Sequence, residues 1–130
     1  SVENEVILGK ANIIKKGNKL TVIAVGPMLE TAIQATEGLD VTVLYYASVA
    51  PFDCETLVNN CPSGKVLICE PYYEGGLSYD VIQTLHGRVS YIDTFGLPHE
   101  FCEHYGTTHQ NMEYWHRTVK DLHDRVTRAL

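Results

Sequence analysis

Apolar residues in this chain gather into short unbroken blocks, separated by stretches whose apolar positions recur every three or four residues. Leu20-Thr21-Val22-Ile23-Ala24-Val25 is rich in β-branched residues and does not alternate with polar ones, which predicts a strand covered on both faces. Gly26-Pro27 ends it, and Met28, Leu29, Ala32, Ile33 and Ala35 follow at helical spacing up to Gly38. Asp40 to Ala47 repeats the strand signal and closes at Ala50-Pro51, after which Asp53 can cap a short helix through Leu57 and Val58 towards Pro62. Lys65 to Glu70 is a third buried strand. It leads through Gly75-Gly76 into a helix with Leu77, Val81, Ile82 and Leu85 on one stripe, running to Gly87. Arg88 to Asp93 reads as the last strand. From about Thr118 an amphipathic helix turns Val119, Leu122, Val126 and Leu130 inward, to pack back on the sheet.

The front of the chain differs. Val6-Ile7-Leu8 and Ala11-Asn12-Ile13-Ile14 flank Gly9-Lys10, and Lys15-Lys16-Gly17-Asn18-Lys19 is a polar turn that suggests a hairpin into the second strand. The first strand then runs antiparallel at an edge. The later strands, returned by crossover helices, lie parallel in a sheet sandwiched between helical layers. No internal repeat or linker divides the chain, so residues 1–130 read as a single α/β domain.

Composition narrows the function more than the fold. Apolar residues make up 45% of the chain and charged residues 20%, the balance of an ordered globular protein. A net charge of −6 repels phosphate backbones, which makes nucleic acid a poor partner. The apolar runs are far shorter than the roughly 20 residues of a membrane span, and no signal peptide opens the chain, so no membrane partner and a cytoplasmic setting are expected. Cys54, Cys61, Cys69 and Cys102 form no CxxC pair and read as reduced thiols. The chain starts at Ser1 rather than a methionine, which suggests a fragment of a longer enzyme.

Several pieces in order are similar to the C-terminal domain shared by transketolase, deoxyxylulose-phosphate synthase and the beta chain of the 2-oxoacid dehydrogenase first component. They are Gly9-Lys10-Ala11, the run from Gly17 to Gly26, Ala50-Pro51-Phe52-Asp53, Glu70 with Glu74-Gly75-Gly76-Leu77, and the closing segment from Phe95 to Gly106, which is nearest the synthase form. The resemblance implies a three-layer α/β/α sandwich with a five-stranded, mostly parallel sheet and one antiparallel edge strand. It further implies a transferase parent that uses thiamine diphosphate and magnesium, transferring ketol units between sugar phosphates or making deoxyxylulose phosphate. That cofactor would be held in other domains, so this domain is expected to bind none, to be inactive alone, and to contact the other domains of the same enzyme and a second subunit in a homodimer. The chain shows no Gly-Asp-Gly with a downstream Asn at metal-ligand spacing and no P-loop, so no catalytic, cofactor-binding or metal residue is assigned. Two alternatives stand beside this reading. One is a free-standing module that binds a regulatory anion or a protein, and the other is a 2-oxoacid dehydrogenase beta-chain domain that docks an acyltransferase.

Two groups of residues are candidates for contact. Glu70, Gly75, Gly76 and Leu77 lie where a buried strand feeds a helix start, the place where open α/β sheets collect ligands. An anion there would meet the like charges of Glu70 and Glu74, and the glycines also serve a tight turn. Tyr72, Tyr73, Tyr114 and Trp115 are half-polar aromatics suited to an interface, and His99 and His104 could line the same contact. A zinc site from His99, Cys102 and His104 matches no attested ligand spacing. Cys54 beside acidic Asp53 is a poor nucleophile.

Overall fold

A computed structural model describes residues 10–47, 52–73, 77–97 and 118–130. Five strands, β1 (Asn12–Lys15), β2 (Leu20–Val25), β3 (Val41–Tyr46), β4 (Lys65–Tyr73) and β5 (Tyr91–Leu97), form one sheet in the order β1-β3-β2-β4-β5. Among the described residues four α-helices, α1 (Leu29–Ala35), α2 (Cys54–Asn59), α3 (Ser78–Leu85) and α4 (Val119–Ala129), cover it. β2, β3, β4 and β5 pair in parallel, and β1 alone is antiparallel.

The unbroken apolar blocks explain the layers. Alternate side chains of each strand leave opposite faces. Leu20, Val22 and Ala24 of β2, Val41 and Val43 of β3, Leu67 and Cys69 of β4 and Phe95 of β5 therefore meet Ala32 and Ala35 of α1 and Leu122, Val126 and Ala129 of α4. Ile23, Val25, Leu44, Tyr46, Val66 and Ile68 face the other way, against Leu57 of α2 and Leu77, Val81 and Leu85 around α3. Each of these larger aliphatic chains, wholly buried, stabilises the fold by about 1.5–3 kcal/mol. The helix periodicities are obeyed with two exceptions: Ile82 on the expected inner stripe of α3 is 45% exposed, and at the end of α4 Ala129 turns inward while Leu130 is 38% exposed.

The hairpin expected between β1 and β2 is not formed. β1 is an antiparallel edge strand, but its neighbour is β3, so the chain from Lys16 to Lys19 must cross the amino end of β3 before β2 begins on the far side. The crossing is stitched: Gly17 N–H donates to Thr42 Oγ1 (3.0 Å), Thr42 Oγ1 donates back to Gly17 O (2.9 Å), and Asn18 N–H donates to Asp40 Oδ1 (2.9 Å). A side chain at residue 17 would run into the backbone at Asp40 and Val41, which is why glycine stands there. Gly64 answers a similar demand at the start of β4, with φ at +75° and the Arg88 carbonyl against it. The last strand also starts later than its sequence suggests, at Tyr91 rather than Arg88, because Gly87 with φ +79° and the bond from Arg88 N–H to Leu85 O (3.0 Å) keep the chain turning after α3.

Cations and amides close the helix ends that point to the amino end of the sheet. Lys15 Nζ donates to Thr36 O and Leu39 O behind α1, where His123 Nδ1 also lies 2.9 Å from Ala35 O, and Lys65 Nζ donates to Ala129 O (3.0 Å) at the end of α4. Positive charge at these ends offsets the helix dipole. Thr118 opens α4 with a capping box, its hydroxyl and N–H exchanging bonds with Asp121.

Substituting Gly17→Ala should destabilise the domain by about 2 kcal/mol or more, because backbone atoms rather than a flexible side chain occupy the space. Chemical denaturation measures this as a lowered midpoint with an unchanged slope.

Candidate functional site at the carboxyl end of the sheet

β2 and β3 end at Val25 and Tyr46, and β4 runs on to Tyr73, so the polar groups beyond these ends are where an open α/β sheet would present chemistry. Asp53 is the centre of the best-described group there and is only 7% exposed. As N-cap of α2 it accepts from Thr56 N–H (3.1 Å) through Oδ1, while Oδ2 accepts from the Thr56 hydroxyl (2.5 Å) and from Ala11 N–H (2.8 Å), 42 residues away. Burial pushes its carboxyl up, but the bonds from Thr56 and Ala11, with the nearby charge of Lys10, outweigh burial and hold it below the usual carboxylate range. Asp53 is thus a charged clasp that holds the lead-in to β1 against the start of α2.

Tyr46 completes the arrangement from the end of β3. Its hydroxyl donates to the Asp53 backbone carbonyl (2.7 Å), and its ring stacks on Phe52 at 4.8 Å between centroids, with 6° between planes. Burial first, and then the charges of Asp53 and Cys54, raise the hydroxyl far above its ordinary range, so it remains a neutral donor. Its proton is used structurally.

Beneath β4 and β5 lies a second group. Arg125 of α4 places Nη1 3.1 Å and 3.0 Å from the two oxygens of Asp93 and 2.7 Å from Thr94 O, with its guanidinium 5.8 Å from the Phe95 ring centroid. Cys69 is wholly buried beside it, and desolvation, with smaller contributions from Asp93 and Glu70 opposed by Arg125, pushes the thiol up and keeps it protonated. Cys54, Cys61 and Cys69 are free thiols.

Glu70 is 5% exposed within β4 and is engaged by a partner. Leu77, the residue before α3, is 5% exposed and belongs to the core under α2 and α3. Tyr72 and Tyr73 form the end of β4, where the pairing with β5 becomes irregular after Cys69. Gly75, Gly76, His99, Cys102, His104, Tyr114 and Trp115 lie outside the described residues. Sequence reasoning identified Asp53 as a cap but not its bond to Ala11, and missed the Asp93–Arg125 pair. The only local signal for the latter is an arginine three residues after inward Leu122 on α4.

Among the described residues no three His, Cys, Asp or Glu side chains gather as metal ligands would, and no helix is long and apolar enough to cross a membrane. Among the described residues, a shallow polar concavity of about 390 Å³ lies at the amino end of the strands, bordered by Lys16, Asp40, Asn60 and Arg88, and a more apolar one of about 600 Å³ lies between α2 and α3, bordered by Phe52, Val58, Asp80 and Thr84.

The family described as "Transketolase, C-terminal domain" matches residues 9–118. The chain belongs to this family. Its residues are 32% identical over 113 positions to one of the subunits of the apulose-4-phosphate transketolase of Phocaeicola vulgatus, covering 82% of this chain and 36% of that protein. They are 29% identical over 123 positions to the 1-deoxy-D-xylulose-5-phosphate synthase of Nitrosococcus oceani, covering 92% of this chain and 19% of that one. A solved split-gene transketolase, an inactive beta4 tetramer, superposes with a TM-score of 0.82 at 27% identity, over all of this chain and 45% of the other. The transketolase C-terminal domain described here therefore has the mostly parallel five-stranded sheet flanked by helices that the resemblance implied, and spans about a third or less of these curated relatives.

Asp53→Ala should cost about 2 kcal/mol, from the lost cap and the Ala11 amide left unpaired. Because the folded carboxyl titrates below its unfolded value, its contribution is complete above the unfolded value, near 4, and is lost as pH falls through the folded one. Denaturation series on wild type and Asp53→Asn, which keeps a capping oxygen without the charge, should show the wild type losing stability more steeply below about pH 4.

Proposed function

We propose that this chain is the C-terminal structural and subunit-contact domain of a thiamine-diphosphate-dependent, transketolase-like transferase and performs no chemistry alone. The observation that carries this reading is the match in fold and sequence over the whole of this chain to less than half of a transketolase polypeptide. The internal use of polar groups supports it. Asp53, Tyr46 and Arg125 are engaged by Ala11, by the Asp53 backbone carbonyl and by Asp93 with Thr94.

In this reading thiamine diphosphate is held by other parts of the parent enzyme, where it supplies carbanion stabilisation for transfer of a ketol unit between sugar phosphates or for synthesis of deoxyxylulose phosphate. Relatives that are a transketolase subunit and a split-gene tetramer support assembly from several chains. In this reading the contacts are made with the other domains of the same enzyme and a second subunit, in a homodimer.

Expressed alone, the chain should show no turnover of ketose and aldose phosphates with thiamine diphosphate and magnesium added. Joined to the remainder of its parent enzyme it should support turnover and a subunit contact that survives gel filtration. Turnover by the isolated chain would overturn the assignment.

A further inference from the structure

The amino end of the sheet carries two cations, unused by the fold, that share one hollow. Lys15 and Lys65 donate to carbonyls behind α1 and α4. Lys16, by contrast, has no ion pair or side-chain hydrogen bond among the described residues, and Arg88 has only a long one, from Nε to Leu85 O at 3.4 Å. Both border the polar concavity of about 390 Å³ between the Gly17 crossing, the end of α2 and the turn after α3. Asp40 is the other charged residue on its rim, so two positive charges stand against one negative on a chain whose net charge is −6.

The backbone fixes where these cations stand. Lys16 adjoins Gly17, whose N–H and carbonyl both bond Thr42 Oγ1, while Arg88 N–H donates to Leu85 O and the Arg88 carbonyl lies against Gly64. The free carbonyls of a helix end repel an anion. At the end of α2 those of Thr56, Leu57, Asn60 and Cys61 are covered, by Asn60 Nδ2, Asn60 N–H, the Thr21 hydroxyl and Gly64 N–H in turn. Asp40 Oδ1 is likewise bonded, to Asn18 N–H. The side-chain amides of Asn18 and Asn59 border the same hollow and have no partner among the described residues. Two cations and two amide donors around an open polar hollow suit a small oxyanion, whose oxygens accept such bonds from several sides at once.

We propose that this concavity binds a small oxyanion of the phosphate class, held by Lys16 and Arg88. Titrating the chain with inorganic phosphate at low ionic strength should move the backbone amide signals of Lys16, Asn18, Asn59 and Arg88 saturably, whereas sodium chloride at matched ionic strength should not. Lys16→Gln and Arg88→Gln alter exposed side chains and should each weaken binding about fivefold or more. Asp40→Asn keeps the acceptor for Asn18 but removes the like charge, and should tighten binding about threefold. Glycerol phosphate separates the two sources of the ligand. Tighter binding than inorganic phosphate assigns the site to a phosphate ester, equal or weaker binding assigns it to free phosphate, and either supports the proposal. Shifts that rise linearly without saturating, that chloride reproduces, or that persist when Lys16→Gln and Arg88→Gln are combined would overturn it, as would an Asp40→Asn variant that binds no more tightly than wild type.

Discussion

Burial on both faces of the sheet is the constraint from which the other features follow. β2 is buried at every position, and in β3 and β4 the residues from Val41 to Leu44 and from Val66 to Glu70 are buried too. Strands so enclosed cannot expose polar side chains midway along their length without leaving them unpaired, so the chemistry of the molecule is displaced to the strand ends and the sheet edges. The exceptions obey the rule: Thr21 and Thr42 are buried near the amino end of the sheet, and each bonds a loop backbone, at Asn60 O and Gly17 O.

The ends are consequently where long-range ties accumulate. The amino end carries the Gly17 crossing and the lysines behind α1 and α4, and the carboxyl end carries the Asp53 clasp on Ala11. Each tie joins segments distant in sequence through backbone groups that would otherwise be orphaned. A carboxylate that is buried, charged and bonded by three donors is chemically quiet. This is the physical reason for reading the domain as a scaffold rather than a reaction centre.

Local patterns carried most of the architecture. The β-branched blocks, the cap at Asp53 and the amphipathic stripe of α4 were legible because each depends on neighbours within a few residues. The partner of β1 was not, since an antiparallel edge strand followed by a short polar turn reads as a hairpin unless the crossing over β3 is known, and Gly17 marks that crossing only once Asp40 and Val41 are seen beside it. The exposed Ile82 follows from the narrow face that α3 turns to the sheet, filled by Val81 and Leu85. Of the candidate site, Glu70 and Leu77 were identified by position along a strand and helix. Their burial was set by packing across the sheet, which no local pattern encodes.

The proposed role makes the strand-end groups structural in both the free domain and the assembled enzyme. Backbone amide chemical shifts during titration of the isolated chain with thiamine diphosphate and magnesium test this most directly. The account predicts that the signals of Ala11, Tyr46, Asp53, Thr56 and Glu70 stay where they are throughout. Saturable shifts confined to those residues would mean that the carboxyl end of this sheet is a ligand site after all.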